Sequence, residues 1–481
     1  MRAFLMTVPE ALTHNGLKVK VGRTAYPPLG LAYIGSVLEK SGYDVTLVDF
    51  AAEQVSDIQT IVERIKKHHP DFIGISIISI NANQAFKIIP EIKKQVNVPL
   101  VAGGAHATYF PENTLKMGRG IDAIVIGEGE AVISELAGAL IANKPLNNIK
   151  GICYRNKQGE IIKNESRSII YDLDSIPQPA QHLFNFRLYR PYPFQTKRKP
   201  VGTIITSRGC PYAKCTFCYS SVKKTVTTYR RHSVKRVMEE IRLMIERYGI
   251  KEIYFLDDDF AAGKEWVNEF CESMHKERID LSWICMARAS SVSKELLSRM
   301  AAAGCWSIFF GIESASQHLL NCIKKGVTVE QNRNAVIWAH QAGIQVSAAF
   351  MMLLPGETPS DARRNVQFAK ELDIEFVAFG PTRPLVATPL FEQCQAYSKD
   401  KLPLEQYQRS GDYFIPSVTF IPEGYTKRQA LSVCRNAYLE YYLRPRYILN
   451  MLKKIRSYAD IKRYVGCLRL YFKLVCEGGK V

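Results

Sequence analysis

Short strand-like runs alternate with amphipathic helical segments through most of this 481-residue chain, and this alternation constrains the fold more than any other feature. Strands separated by helices pair in parallel, because a crossover helix returns the chain to the same edge of the sheet. The five strand candidates of the first region are Ala3–Val8, Asp44–Val48, Phe72–Ile77, Leu100–Ala102 and Ala123–Ile126. We therefore predict an α/β fold whose first domain, residues 1–150, is doubly wound and Rossmann-like.

A second alternating region covers residues 201–385, after a proline-containing linker at 151–200 that includes a hairpin over Ile152–Ile162. Its six strand candidates are Gly202–Thr206, Glu252–Leu256, Ser282–Ala287, Ser307–Ile312, Gln345–Met352 and Glu375–Phe379. Six parallel βα units predict a partial (β/α)6 barrel of the TIM type, in which chemistry is placed at the carboxyl ends of the strands. Residues 386–481 lack strand alternation and are predicted to be mainly helical.

The charge and the cysteine content narrow the classes of partner without choosing among them. The formal net charge of +18 suits nucleic acid, an anionic membrane surface, or a negatively charged substrate or redox partner. The start of the chain does not resemble a signal peptide, so we expect a cytoplasmic protein, with peripheral membrane contact as the alternative. In that compartment the 12 cysteines are free for packing, redox work or metal binding.

Three cysteines lie together directly after the first barrel strand, in the segment T-S-R-G-C-P-Y-A-K-C-T-F-C-Y. Cys210, Cys215 and Cys218 could hold an iron–sulfur cluster through three thiolates, leaving one iron open for a small chelating ligand. The alternatives are a zinc site that recruits His232 as a fourth ligand, and a chance grouping of thiols.

The cysteine segment resembles the radical S-adenosylmethionine superfamily, in which a cysteine triad after the first strand of a partial barrel holds a four-iron, four-sulfur (4Fe-4S) cluster. That family usually has three residues between its first two cysteines, whereas four separate Cys210 from Cys215 here. The resemblance implies reductive cleavage of S-adenosylmethionine to a 5′-deoxyadenosyl radical, which abstracts hydrogen from an unactivated carbon. It also implies a reductant such as flavodoxin or ferredoxin.

Further residues at strand ends match the same family. The resemblance assigns a group of them to S-adenosylmethionine binding: Phe217, Asp257, Asp258, Arg288, Glu313, Ser314, Pro355 and Gly356. An acidic surface turn is the alternative for the two aspartates, and capping or salt bridging is the alternative for Arg288, Glu313 and Ser314. After the sixth strand the segment P-L-V-A-T-P-L departs from the family's P-G-T-P-L pattern, so we expect the roof of the active site to differ in detail.

The first domain has no G-x-G-x-x-G after its first strand, which disfavours a dinucleotide site. Its segments Y-P-P-L-G-L-A-Y-I-G, V-A-G-G-A-H-A-T and V-I-G-E-G-E resemble the cobalamin-binding domain that precedes the barrel in one large class of radical S-adenosylmethionine enzymes. The residues that would border the corrin by this resemblance are Pro28, Leu29, Gly30, Ser76, Gly103, Gly104, His106, Gly127, Glu128 and Gly129.

The D-x-H-x-x-G motif that supplies a histidine to cobalt in methionine synthase is absent from the sequence. A bound cobalamin is therefore expected to lack that histidine ligand. For His106 a structural role in a turn is the alternative to cobalt contact. A domain that keeps the fold without the cofactor also remains open.

The end of the chain is strongly basic. From Glu440 onward its cations are Arg444, Arg446, Lys453, Lys454, Arg456, Lys462, Arg463, Arg469, Lys473 and Lys480. Such a stretch could rest on an anionic membrane, but we favour a helical cap whose apolar face packs on the barrel and whose charges are solvated. Cys434, Cys467 and Cys476 match no cluster spacing and are interpreted as structural thiols.

Taken together, these features predict a radical enzyme with a 4Fe-4S cluster, S-adenosylmethionine and cobalamin that methylates a carbon of a small-molecule or lipid-like substrate. A cobalamin-dependent radical cyclase, for example one that forms a tetrapyrrole ring, is the alternative enzyme. A corrinoid and iron–sulfur protein acting in sensing or electron transfer is the non-catalytic alternative. No RNA-binding module accompanies the barrel, so we expect no nucleic-acid partner.

Overall fold

The computed structural model describes residues 1–9, 26–222, 228–397, 420–453, 455, 460–467 and 469. They divide into two compact units, of which the first is Met1–Arg190 and the second begins at Pro191. The division falls within the segment 151–200 that the sequence assigns to a linker.

The first unit is a seven-stranded sheet with the order β2-β1-β3-β4-β5-β6-β7. Its strands are β1 Arg2–Thr7, β2 Asp44–Asp49, β3 Phe72–Ser76, β4 Leu100–Gly103, β5 Ala123–Val125, β6 Ile152–Arg155 and β7 Ile161–Lys163. Its helices are α1 Leu29–Lys40, α2 Ile58–His68, α3 Ala82–Gln95, α4 Ala105–Tyr109, α5 Pro111–Met117 and α6 Ile133–Ile141. The first five strands are parallel, as the sequence predicts.

The predicted hairpin is present as β6 and β7, but it belongs to this sheet. Val125 of β5 pairs antiparallel with Ile152 of β6, and β6 pairs with β7. Residues of the predicted linker therefore extend the first unit by two strands. The hairpin is local and visible in the sequence, whereas its pairing with β5 depends on a contact across the intervening helix.

The strand order places β1 between β2 and β3, so the chain moves one way from β1 to β2 and then crosses back over β1 to reach β3. In open α/β sheets, ligands bind outside the carboxyl ends of the strands at this reversal. The apolar faces of α2 and α3 pack on one side of the sheet in an isoleucine-rich core that includes Ile61, Ile65, Ile88 and Ile92. The sheet thus presents the loops after β3 and β4 at one edge.

The second unit contains a six-stranded parallel sheet with the order β15-β14-β13-β12-β11-β8, so that β8 and β15 form its two edges. The six strands are β8 Val201–Ile204, β11 Glu252–Phe255, β12 Ser282–Ala287, β13 Cys305–Glu313, β14 Gln345–Met352 and β15 Phe376–Pro381, while β9 Ser207–Arg208 and β10 Arg230–Arg231 pair separately as a two-stranded antiparallel sheet. The six-stranded sheet is the predicted partial barrel, and all six strand candidates are confirmed.

Helices follow the barrel strands and continue into the last part of the chain. They are α7 Val234–Tyr248, α8 Lys264–Lys276, α9 Lys294–Ala302, α10 Gln317–Cys322, α11 Val329–Gln341, α12 Pro359–Glu371, α13 Pro389–Tyr397, α14 Lys427–Tyr442 and α15 Pro445–Lys453. Several begin with a capping box, as at Thr426 and Gln429 before α14, where each side chain bonds the other's backbone N–H.

The predicted helical character of the end of the chain is confirmed where it is described. Cys434 is buried within α14, in keeping with a structural thiol, and Cys467 is half-buried. Lys454, Arg456, Lys473, Cys476 and Lys480 lie outside the described residues. No helix in the described part of the chain combines the length and the apolar character needed to cross a bilayer.

Candidate active site

The cysteine loop begins where β8 ends, at the carboxyl end of the barrel. Cys215 is buried, whereas Cys210 and Cys218 are partly exposed. The backbone N–H of Thr216 donates to the carbonyl oxygen of Ile323 at 3.0 Å, and the N–H of Cys218 donates to that of Cys215 at 3.1 Å. These bonds fix the second half of the loop against the segment that follows α10.

The first half of the loop is held by Tyr212. Its hydroxyl donates to the carbonyl oxygen of Lys324 at 3.0 Å, and its ring lies against Gly326. Ala213 adopts a left-handed conformation with φ of 45°. A left-handed residue turns the chain sharply within one position, so the longer Cys210 to Cys215 segment is accommodated by a local turn.

Arg288, at the end of β12, links this loop to the barrel. Its guanidinium stacks on the Tyr212 ring at 4.0 Å from the centroid, and one terminal nitrogen lies 3.7 Å from the Cys215 sulfur. The other terminal nitrogen donates to the carbonyl oxygen of Lys325 at 2.6 Å. Burial raises the pKa of the Cys215 thiol, while the Lys325 and Arg288 cations oppose that rise by favouring the thiolate.

Three successive aspartates follow β11, and they differ in environment. Asp257 is fully buried and accepts hydrogen bonds from the Thr206 N–H at 3.2 Å, the Thr206 hydroxyl at 2.6 Å and the Ser207 hydroxyl. Asp259 is also buried and accepts from the Ser291 hydroxyl at 2.6 Å and the Arg288 N–H at 3.2 Å. Asp258 is exposed. Of the two predicted cofactor ligands, Asp258 therefore has the more accessible carboxylate, and Asp257 ties the first two barrel strands together.

Glu313 ends β13 in a left-handed conformation, with φ of 63°. Its carboxylate is buried and forms an ion pair with the Lys325 ammonium at 2.8 Å. A non-glycine residue in this region of backbone space carries strain, which is typical of functional positions. Lys325 was not singled out by the sequence, since nothing in its local pattern marks it as a partner of a residue 12 positions away.

Ser314 is fully buried in a polar network with Asn365. The Ser314 hydroxyl donates to the Asn365 side-chain oxygen at 3.4 Å, and the same oxygen accepts from the Ala315 N–H at 2.7 Å. This network anchors the end of β13 to α12. The predicted role of Ser314 in cofactor binding stays a prediction.

The turn after β14 contains Pro355 and Gly356, which were predicted to approach the adenine. It is organised by Glu357, whose buried carboxylate accepts from the Leu353 N–H at 2.7 Å and the Tyr425 hydroxyl at 3.0 Å. Leu353 is left-handed, with φ of 63°. Phe217, the remaining predicted residue, lies with its ring 5.6 Å from the Lys325 ammonium.

In the first unit, the predicted cobalamin residues lie at the carboxyl edge of the sheet and in the turns beside it. Pro28 and Leu29 begin α1, and Ser76 ends β3. A methyl group placed on Gly30 or on Gly103 would meet no atom within 4 Å, so both positions face open space. Gly104, with φ of 95°, instead lies so close to Ile77 that a methyl group would be 2.7 Å from its carbonyl oxygen.

His106 is buried between two phenylalanines, with ring centroids 6.0 Å from Phe86 and 5.2 Å from Phe110. One ring nitrogen lies 3.3 Å from the Ser79 hydroxyl. Burial lowers the pKa of His106 to about 4, so the imidazole is neutral at physiological pH. This environment favours the structural interpretation of His106 over contact with cobalt.

The third predicted segment of this edge is tied into the first unit. The Gly127 N–H donates to the Thr108 hydroxyl at 3.0 Å, and the Glu128 carboxylate accepts from the Ile170 N–H at 3.0 Å. Gly129 lies against Ile34 of α1. The turn is therefore rigid where it borders the carboxyl edge.

Comparisons with known proteins agree with this geometry. The family model described as the B12 binding domain matches residues 19–137, and that of the radical SAM superfamily matches residues 204–369. An uncharacterized methyltransferase of Pyrococcus horikoshii is 34% identical over 98% of this chain and 98% of its own. The chain belongs to the cobalamin-binding radical S-adenosylmethionine enzyme family.

Two further relatives are a methyltransferase and a cyclase. The cytidylyl-2-hydroxyethylphosphonate methyltransferase of Streptomyces wedmorensis is 30% identical over 76% of this chain and 77% of its own. The anaerobic magnesium-protoporphyrin IX monomethyl ester cyclase of Rubrivivax gelatinosus is 26% identical over 93% of this chain and 79% of its own.

Solved structures show the same fold. The cobalamin-dependent radical enzyme OxsB superimposes with a TM-score of 0.74 at 19% identity, covering 98% of this chain and 72% of its own. The radical S-adenosylmethionine methyltransferase TsrM of Kitasatospora setae gives a TM-score of 0.71 at 19% identity, covering 98% and 99%. These structures confirm the predicted fold class, and the family models with the 34% identical relative confirm the predicted family.

The cofactors of this family are a 4Fe-4S cluster, S-adenosylmethionine and cobalamin, and the donor set suits the first of them. Three thiols lie on one loop, and two cations adjoin the buried one. Among the described residues, no three His, Cys, Asp or Glu side chains converge on a point as a single ion requires.

The edge of the first unit suits a flat macrocycle, because Gly30 and Gly103 leave open space where side chains would otherwise project. His106 is buried between Phe86 and Phe110, in line with the absence of the D-x-H-x-x-G motif. The assignment of each individual residue to cobalamin stays a prediction.

Replacing Gly326 with alanine tests whether Tyr212 holds the cluster loop. The added methyl would overlap the Tyr212 ring and force it off Arg288, and φ of 66° at this position adds backbone strain. We expect the iron bound after anaerobic reconstitution to fall by about tenfold, the range for loss of an outer-shell contact. The matched control is Gly343→Ala, because Gly343 is also left-handed but an added methyl there would meet no atom within 4 Å. Equal iron loss in the two variants would contradict the role of Tyr212.

Replacing Glu357 with glutamine tests the buried carboxyl beneath the Pro355–Gly356 turn. Burial raises the pKa of Glu357 from 4.5 to about 7. The folded state therefore holds an extra proton between these pH values, so its contribution stabilises at low pH and is lost as the pH rises through 7. Between pH 5 and pH 8 we expect wild type to lose about 3 kcal/mol of unfolding free energy relative to Glu357→Gln, measured by urea denaturation. A constant difference between the two proteins at all pH values would contradict the burial effect.

Proposed function

We propose that this enzyme methylates an unactivated carbon of a small-molecule or lipid-like substrate. The observation that carries the proposal is the 34% identity to a methyltransferase over 98% of both chains. The phosphonate methyltransferase at 30% identity supports the same reaction type. Electrons would come from a reductant such as flavodoxin or ferredoxin.

Residues of the second unit would hold the cluster and offset its charge at the barrel. Cys210, Cys215 and Cys218 would hold the cluster, and Arg288 with Lys325 would offset the negative charge of its thiolates. When bound, the cluster with S-adenosylmethionine supplies hydrogen abstraction from carbon, and cobalamin supplies the methyl group.

Side chains at the carboxyl end of the barrel strands are suited to orient S-adenosylmethionine. The exposed Asp258 carboxylate can accept from ribose hydroxyls or from the ammonium group. The Glu313 carboxylate accepts from the Lys325 ammonium through one of its two oxygens, and its second oxygen would accept from the ammonium group of S-adenosylmethionine. The turn at Pro355 and Gly356 keeps the backbone free of side-chain bulk where an adenine would approach.

A radical cyclase is the second candidate, because the chain is 26% identical to an anaerobic magnesium-protoporphyrin IX monomethyl ester cyclase over 93% of its length. The two reactions use the same cofactors and differ in their products. A methylase adds the labelled methyl of S-adenosylmethionine to its product, whereas a cyclase forms a new ring without gaining that methyl.

The test begins with anaerobic reconstitution of the cluster and cobalamin, followed by reductant and methyl-labelled S-adenosylmethionine. We expect bound corrinoid, formation of 5′-deoxyadenosine, and transfer of the label to a product from cell extract. Ring formation without label would favour the cyclase. An intact cluster that never yields 5′-deoxyadenosine or labelled product would contradict both and favour a sensing or electron-transfer protein.

A further inference from the structure

Helix α15 packs on the second unit through polar and aromatic side chains. The Tyr447 hydroxyl donates to the carbonyl oxygen of Glu375 at 2.8 Å, and the Asn450 amide donates to the Asp373 carboxylate at 2.9 Å. Residues three apart lie on one face of a helix. The inward face of α15 is therefore its hydrogen-bonding face.

The outward face of the same helix is apolar. Ile448, Leu449 and Leu452 are 46%, 56% and 57% exposed, and Leu443 just before the helix is 54% exposed. A surface helix of a globular protein normally shows the opposite arrangement, with apolar residues inward and polar residues in water. The sequence of α15 is amphipathic, but its apolar face is turned away from the protein.

Exposed apolar side chains are concentrated in this part of the chain. Six of the 11 exposed large apolar residues of the described chain fall between residues 443 and 465. They are Leu443, Ile448, Leu449, Leu452, Ile461 and Val465. Single exposed apolar residues are ordinary on protein surfaces, but a cluster marks a site of interaction.

The same stretch carries much of the positive charge of the chain. Between residues 443 and 469 the sequence has eight cations and one anion, Asp460. The cations are Arg444, Arg446, Lys453, Lys454, Arg456, Lys462, Arg463 and Arg469. Arg446 pairs with Asp373 at 3.4 Å but keeps a side chain that is 76% exposed, and Lys462 and Arg469 are also exposed.

From this combination we infer that the apolar face of α15 docks the enzyme on an anionic lipid surface. We define the lipid-docking face as Leu443, Ile448, Leu449 and Leu452. A helix of this kind lies in the plane of the interface, with its apolar side chains among the acyl chains and its cations beside the lipid phosphates. The inference goes beyond the proposed reaction and does not depend on it.

The chemistry of the face distinguishes a lipid surface from other partners. Nucleic acid is bound by cations and by aromatic rings that stack on bases, and exposed leucine and isoleucine contribute little to either contact. A second copy of this chain would bring the same cations against each other, which costs free energy. An anionic bilayer satisfies both the apolar side chains and the surplus positive charge.

Vesicle sedimentation with the full-length protein carrying its reconstituted cluster tests the inference. We expect binding to vesicles that contain phosphatidylglycerol, weaker binding to pure phosphatidylcholine vesicles, and weakening by salt. The triple variant Ile448→Gln, Leu449→Gln and Leu452→Gln should lower the partition coefficient by about tenfold or more, since it removes the apolar contact. Glutamine is chosen because it preserves helix propensity.

The matched control is Met117→Gln with Ile337→Gln, which removes exposed apolar side chains at 48% and 38% exposure elsewhere on the protein. It should bind vesicles as wild type does. Equal binding by the triple variant and wild type would overturn the inference. Two other results would also overturn it. In the first, wild type binds no vesicles but self-associates, and the triple variant loses that self-association. In the second, single-stranded RNA retains wild type in preference to vesicles. None of these measurements requires turnover, so their outcome is independent of whether methyl transfer is found.

Discussion

Cys215→Ala is expected to leave the protein folded and to abolish its iron–sulfur cluster. Cys215 is the one buried thiol of the loop, beside the cations of Arg288 and Lys325, whereas Cys210 and Cys218 are partly exposed. With two thiolates remaining, a second iron would lack a protein ligand. Outer-shell changes alone cost about 10–100-fold in metal affinity, so we expect a larger loss here. Iron content and the visible absorption of the reconstituted protein measure it directly.

Formation of 5′-deoxyadenosine should fall to background in the same variant, because electrons reach S-adenosylmethionine only through the cluster. The matched control is Cys322→Ala, which removes an exposed thiol at the end of α10, close to the loop in the chain's fold but outside the triad. It should retain full iron content. A Cys215→Ala protein with an intact cluster would show that the triad assignment is wrong.

The repeating pattern of the chain predicts its architecture well, for a physical reason. Buried parallel strands are continuous apolar runs and the helices between them are amphipathic, so each βα unit can be predicted from its own stretch of sequence. The ends of the strands can be predicted in the same way, and Arg288 and Glu313 could therefore be placed at the carboxyl end of the barrel. The three-thiol loop could be predicted as a cluster site from its cysteines and its position after β8 alone.

The partners of those residues could not be predicted in the same way. Arg288 lies 73 positions from Cys215, and its stacking on Tyr212 depends on how two separate βα units pack. The hairpin after β5 shows the same limit, since its two strands are local but their pairing with the sheet is not. His106 is an intermediate case, because Phe110 lies four positions away and a helical turn would bring the rings together.

The buried ion pair between Glu313 and Lys325 leads to the second prediction. Both side chains are about one-tenth exposed and their charged atoms are 2.8 Å apart. Removing one partner leaves a buried charge without compensation, at a cost of about 3–5 kcal/mol, whereas replacing both with neutral residues is often close to neutral. We therefore expect Lys325→Met to destabilise the protein by about 3 kcal/mol and Glu313→Gln/Lys325→Met to recover most of that loss.

The same variants separate a structural role of Glu313 from a role in binding S-adenosylmethionine. If the carboxylate accepts the ammonium group of the cofactor, the double variant should regain stability while its dissociation constant for S-adenosylmethionine stays raised by about tenfold or more, the effect of losing a hydrogen bond to a charged group. Calorimetric titration of the reconstituted proteins measures the constant, and urea denaturation measures the stability. Recovery of both quantities together would show that Glu313 serves the ion pair alone, because a neutral pair would then replace everything that the carboxylate does. Recovery of stability without affinity would instead place the Glu313 carboxylate in the cofactor site, with Lys325 acting to compensate its charge while it lies buried.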